Sequence, residues 1–200
     1  MGFSPCGTVM LVIDDAFIRE WHPRYDETEG HDPDYDRLVN TVAQEMDSIG
    51  TISQGTFLDI WKWKGAIRTI RFVELERYDT VYAPAFRRAF HETSERMLPA
   101  MIGPGAKLAG IGAPSGSTIV HFMHPTTMPI IDVRTVEVLH KAGLVRTKQR
   151  DLDHYNEFRK AINRIKTACP RWSLREIDKA LFAYHKQVLD KKKGNKFCPQ

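Results

Sequence analysis

Apolar residues in this chain return at every third or fourth position, segment after segment, and hardly anywhere alternate. Between positions 33 and 48 the stripe is Tyr35, Leu38, Val39, Val42 and Met46, a spacing that gathers side chains on one side of a helix with 3.6 residues per turn. Asp32-Pro33 supplies an N-cap and a proline at the first helical position, and Gly50 closes the segment. The same pattern predicts a helix over 54–64 (Phe57, Ile60, Trp61, Lys64), ended by Gly65. A short helix is expected over 66–76 through Ile67, Ile70 and Phe72, and a longer one over 84–101 with Phe86, Phe90, Ser94, Met97 and Met101 on one face. Tyr155, Phe158, Ile162 and Ile165 form a stripe that stops at Pro170. Ser173 and Glu176 then have the form of a capping box, opening a helix that carries Ile177, Leu181, Tyr184 and Val188. Only TVMLVIDD, near the N-terminus, reads as strand. An all-α fold of seven to ten helices follows.

Composition narrows the class. With 42% hydrophobic and 27% charged residues the chain has enough apolar surface to order itself. No run approaches the roughly 18 apolar residues of a membrane span. The first residues lack the basic region and cleavage site of a secretory signal, so a cytoplasmic location and no membrane partner are expected. A net charge of +4 permits nucleic-acid binding without implying it. Cys6, Cys169 and Cys198 are far apart, in no C-x-x-C spacing, and predict idle or buried thiols. No repeat or Gly/Ser-rich linker divides residues 1–200, which read as one unit; the basic end, 191–200, reads as a frayed solvated tail.

One stretch carries chemistry: KLAGIGAPSGSTIVHFMHPTTMPIIDVR, positions 107–134. Leu108-Ala109-Gly110-Ile111-Gly112 reads as a tight turn between a helix end and a helix resuming at Ser115 to Phe122, with Pro114 near its first turn. Glycines at 110 and 112 permit positive φ and leave no Cβ in the way of an anion. Amides of the turn and of the next helix's first turn, at Ala113 and Ser115, are left without intrahelical partners and suit a phosphate. Ile111 is expected to plug into the core. Downstream, Asp132 follows Pro129-Ile130-Ile131 in one of the most apolar runs of the chain.

This combination resembles the helix-hairpin-helix DNA glycosylase superfamily, the group containing endonuclease III and the adenine and alkyl-adenine glycosylases. The family's hairpin has the form L-x-G-h-G, with h apolar, and its aspartate lies 22 residues after the first hairpin glycine, as Asp132 does after Gly110. The resemblance covers about 45 residues. It implies a two-lobed helical bundle with a DNA cleft between the lobes. One lobe is expected over about 30–125, containing the hairpin 107–122, and the other from the N-terminus with 133–192. It also implies a monomer acting on double-stranded DNA that holds a damaged or modified base. Bifunctional members carry a lysine 18 residues before the aspartate; here that position is Pro114, so a monofunctional enzyme without lyase activity is expected. The four-cysteine cluster of the endonuclease III branch is missing, and no cofactor is expected beyond a monovalent cation at the hairpin.

Cleaving an N-glycosidic bond builds positive charge on the deoxyribose, and a carboxylate near C1′ stabilises that charge and orients the attacking water. Asp132 is the expected catalytic group, its apolar neighbours lowering the local dielectric; the plainer alternative makes it only the N-cap of a helix over 133–141, and the two roles are compatible. A flipped base needs a stacking partner, for which Trp61 and Trp63 with Lys62 are candidates; core packing and solvated lysines are the competing reading. Lys64, Arg68, Lys107, Arg134 and Lys148 are candidates for the DNA backbone, although each is individually an ordinary surface cation. His121 and His124, three apart, find no third ligand and read as packing residues rather than a metal site. Two alternatives to repair remain: excision of a hypermodified phage base as antiviral defence, and a non-catalytic DNA-binding module. A helical interaction domain unrelated to DNA is a third.

Overall fold

The computed structural model describes residues 11–29 and 32–190. Among them the fold is all-α, with nine α-helices and no strand. Asp14 starts the first helix, α1 (Asp15–Glu29), by accepting the Phe17 amide at 2.9 Å. Positions 11–13, the described part of the strand-like segment, have no regular structure. Pro23 inside α1 and the charged run that follows it hide this helix from periodicity, although Phe17, Ile18 and Trp21 are buried.

Next come α2 (Pro33–Ser48) and α3 (Gln54–Trp63). Ser53 caps α3, and the Glu45 carboxylate of α2 accepts from the Ser53 amide and the hydroxyls of Ser53 and Thr56. The helix expected over 66–76 is instead two tight turns, Ile67–Phe72 and Leu75–Arg77. Gly65 turns left-handed (φ 69°), and the Ala66 carbonyl is taken by the Trp61 indole and the Thr69 amide.

The helix expected over 84–101 is likewise broken. It forms α4 (Ala83–Phe90) and α5 (Met97–Ile102), because the Thr93 carbonyl accepts both the Arg96 and Met97 amides in a turn between them. That break presents Glu95 to Arg159 of a later helix. The order then runs α6 (Ala113–Met123), α7 (Val133–Lys141), α8 (Leu152–Ala168) and α9 (Leu174–Tyr184), where the Ser173–Glu176 capping box is formed.

Helix packing falls into two sets. Helices α2 to α6 pack among themselves, and α1, α7, α8 and α9 do the same, with α5 and α8 meeting across. In the first set Phe57, Trp61, Tyr78, Tyr82 and Phe86 form one aromatic cluster. In the second, α1 lies along α9 through Phe17, Trp21 and Tyr184. Burial of these aromatics adds to the cohesion of a core that is otherwise mainly aliphatic. No helix among the described residues is long and apolar enough to cross a membrane.

Candidate active site

The turn at 108–112 is held from beneath. Leu108 and Ile111 are buried, the Tyr82 hydroxyl donates to the Ala109 carbonyl at 2.8 Å, and the Ile111 amide closes the bend on the Leu108 carbonyl. Gly110 has φ 74°, and a Cβ there would stand 2.6 Å from the Phe72 carbonyl oxygen. Glycine is thus required twice, by the dihedral and by the backbone beside it. Gly112 precedes α6, exchanging hydrogen bonds with the Ser115 hydroxyl. Carbonyls of Leu108, Ala109 and Gly112 are already engaged within the protein, which leaves few acceptors for a cation at the bend.

Helix α6 also anchors the loop leading to Asp132. The Ser117 hydroxyl accepts the Ile131 amide at 3.1 Å, and His121 Nδ1–H donates to the Met128 carbonyl at 2.6 Å. From α8, the Tyr155 hydroxyl donates to the Pro129 carbonyl at 2.9 Å. Three buried side chains therefore fix Met128, Pro129 and Ile131. With Nδ1 donating, His121 Nε2 accepts from the Tyr35 hydroxyl at 2.7 Å, and burial lowers its pKa to about 4, so the ring stays neutral. The loop delivers Asp132 to the N-cap of α7, where its carboxylate accepts the Arg134 amide at 3.1 Å and its own amide donates to Thr135 Oγ1.

Asp132 opens into a cavity of about 460 Å³ bordered also by Tyr25, Asp32, Trp63, Lys64, Arg134, Arg175, Asp178 and Phe182. Its floor is a charged lattice. Arg175 binds Asp178 at 2.6 Å, Asp32 at 2.9 Å and the Tyr25 hydroxyl at 3.1 Å. It also lies over the rings of Tyr25, Tyr35 and Trp63. The Trp63 indole N–H points at Asp32, 2.9 Å away. Burial pushes the Asp178 carboxyl up, against the pull of Arg175 and Lys64. Burial likewise pushes the Lys64 ammonium down, opposed by the charges of Asp132 and Asp178.

Placement of the remaining sequence-derived residues is mixed. Trp61 and Trp63 separate as helical geometry requires: Trp63 borders the cavity, whereas Trp61 is 2% exposed in the aromatic core and is corrected from a pocket to a core residue. Lys62 is also corrected, since it points to solvent and pairs with Asp59. Lys64 is no surface cation for the DNA backbone, because it sits in the cavity wall. Arg134 joins it there, stacked on Phe182 at 4.6 Å. Arg68, Lys107 and Lys148 are exposed, outside that wall. His124 stacks on Phe90 and donates to its carbonyl, away from His121's partners, and no cluster of three or more metal-ligating side chains occurs among the described residues. Cys169 is a buried thiol; Cys6, Cys198 and the tail 191–200 lie outside the described residues.

Asp32 is a further correction. It occupies the N-cap position of α2 but makes no side-chain capping bond, its carboxylate being taken by Trp63 and Arg175. Sequence reasoning also passed over Tyr25, Arg175, Asp178 and Phe182. Arg175 and Asp178, three apart in a capped helix, look like a surface ion pair until α1 and α2 close over them. The chain matches no family model, no curated protein and no solved structure.

Proposed function

We propose that this protein is a DNA glycosylase, which flips a damaged or modified base out of a duplex and hydrolyses its N-glycosidic bond. The observation that carries the reading is the seat of Asp132: a helix-capping carboxylate at the mouth of an aromatic-walled cavity, on a loop hydrogen-bonded to the hairpin helix. A cavity of this size suits one small ligand, and Trp63 offers an aromatic wall beside Asp132 for an extruded base. In this reading the two packing sets are the lobes of a DNA cleft, and the hairpin amides hold a backbone phosphate. Asp132 stabilises the developing oxocarbenium charge and orients water. The partner is double-stranded DNA, bound by a monomer in the cytoplasm.

Asp132→Asn tests this. Purified mutant and wild type are incubated with duplexes carrying alkylated, deaminated or phage-type bases, and the products are heated in alkali to reveal abasic sites. The mutant should excise at least about 100-fold more slowly while retaining the duplex. Full excision by the mutant removes Asp132 from the mechanism; retention without excision by the wild type across the panel points instead to a binding module. Mass spectrometry of the released base separates repair from antiviral defence.

A further inference from the structure

We propose that the concavity between α8 and the turn before α5 is a second binding site, one that takes a phosphate group. Glu95 and, from α8, Arg159, Lys160, Asn163, Arg164 and Thr167 line a space of about 490 Å³, and none of them borders the Asp132 cavity.

Positions i, i+3, i+4 and i+7 share one side of a helix, and on α8 Lys160, Asn163, Arg164 and Thr167 occupy them. Three cations meet one carboxylate in the lining. Lys160 and Arg164 are exposed and make no ion pair within 4.0 Å and no hydrogen bond among the described residues. Like charges four apart on a helix repel each other, so a face kept for stability alone would alternate their sign. Arg159 is the buried member of the group, its side chain 7% exposed. Its Nη2 donates to Glu95 Oε1 at 2.5 Å, whereas Nε, on the same edge of the guanidinium, is buried without an acceptor. A carboxylate matched to this arginine would take both nitrogens. Glu95 fills half of the edge, from a side chain that is itself 58% exposed.

The unused donors define the ligand. A phosphate group brings oxygens in a tetrahedral array, enough for the Nε–Nη2 edge of Arg159 and for cationic donors of Lys160 and Arg164 arriving from other directions. A carboxylate brings two oxygens in one plane. No aromatic side chain lines the space, so the phosphate itself is read rather than a ring attached to it. Glu95 holds the anion's place on Arg159 and leaves when the phosphate arrives. Beyond Lys160 and Arg164 a neighbouring concavity carries Asp153 and a Glu157 already tied to Arg146, which confines the anion to the Arg159 side. A DNA strand and a free phosphorylated small molecule offer the same oxygens.

Calorimetric titration of the full-length protein with inorganic pyrophosphate at low salt tests the site. The wild type should bind it, and a variant carrying both Lys160→Met and Arg164→Met should bind at least about tenfold more weakly. Both positions are exposed, and circular dichroism checks that the variant is folded. Glu95→Gln, which frees Arg159, should tighten binding about threefold. Glu92→Gln, which removes a nearby acid paired with Arg96 instead, should not. Absence of pyrophosphate binding, equal binding by the folded double variant, or equal tightening by Glu92→Gln would overturn the proposal. A short undamaged duplex added in competition then names the source: displacement of pyrophosphate identifies a strand phosphate, and undisturbed binding identifies a free phosphorylated ligand. The glycosylase reading stands or falls separately, with base release at Asp132.

Discussion

The hairpin and the cavity are built on opposite plans. Residues 108–115 make their bend from consecutive positions, with two glycines, two buried aliphatics and a serine that bonds back three residues. The cavity draws Tyr25, Asp32, Trp63, Asp132 and Arg175 from five separated stretches, and of its charged partners only Arg175 and Asp178 are neighbours along the chain. A local device is specified by dihedrals and steric room; a distributed one is specified by which helix faces meet. The hairpin is thus exposed backbone on a packed base, whereas the cavity floor is a set of half-buried charges that stabilise only while complete.

Removing its central cation should have the largest effect. Arg175→Met leaves Asp32 and Asp178 without their ion-pair partner, and urea denaturation should register a loss of about 3–5 kcal/mol. A loss under about 1 kcal/mol would mean that the floor is not the cooperative unit described.

His121 joins the two regions, since it sits on the hairpin helix, fixes the Met128 carbonyl and holds Tyr35 beneath Arg175. Its folded pKa of about 4 lies below the ordinary 6.5, so the unfolded chain takes up the proton first as pH falls. Stability from this residue is complete above pH 6.5 and is lost progressively down to about pH 4, roughly 3 kcal/mol in all. Denaturation curves across that window should show the slope in the wild type and a slope shallower by one proton in His121→Gln. An unchanged slope would place the titration elsewhere.

At the hairpin, Gly110→Ala forces a side chain into φ 74° and against the Phe72 carbonyl. A cost of about 2 kcal/mol is expected, with weaker duplex retention in a salt titration and Trp63 fluorescence unaltered. A matching change at Trp63 would show that bend and cavity are one unit rather than two. The smallest effect is expected at the start of the helix that carries Arg175: Ser173→Ala removes the α9 cap and should lower stability by about 1 kcal/mol in thermal melts.

Much of the helical order was legible from residue spacing. The helix over 33–48, the capping box at Ser173 and the Asp132 cap are short-range features, settled by side chains within a turn of one another. Trp61 and Trp63 show where legibility stops: helical geometry says that they face apart, but only the packed neighbours say that Trp61 is the buried one. Asp32 misleads for the same reason. Its place before Pro33 fits a cap, yet a tryptophan and an arginine from distant segments compete for the carboxylate and win. Helix α1 was missed because Pro23 interrupts its stripe, while its burial comes from α9, some 150 positions on. Lys64 looked like a surface cation because the cavity it lines is completed only by α9 and the loop before α7.

By itself the sequence determined the all-α class, most helix positions, the glycine bend and the carboxylate 22 residues beyond it, because each depends on contacts within a few residues along the chain. Tertiary structure decided that this carboxylate opens into a cavity, that Trp63 rather than Trp61 walls it, and that Lys64 lines it. Burial and charge pairing are properties of surfaces brought together, and separation along the chain carries no record of which surfaces those are.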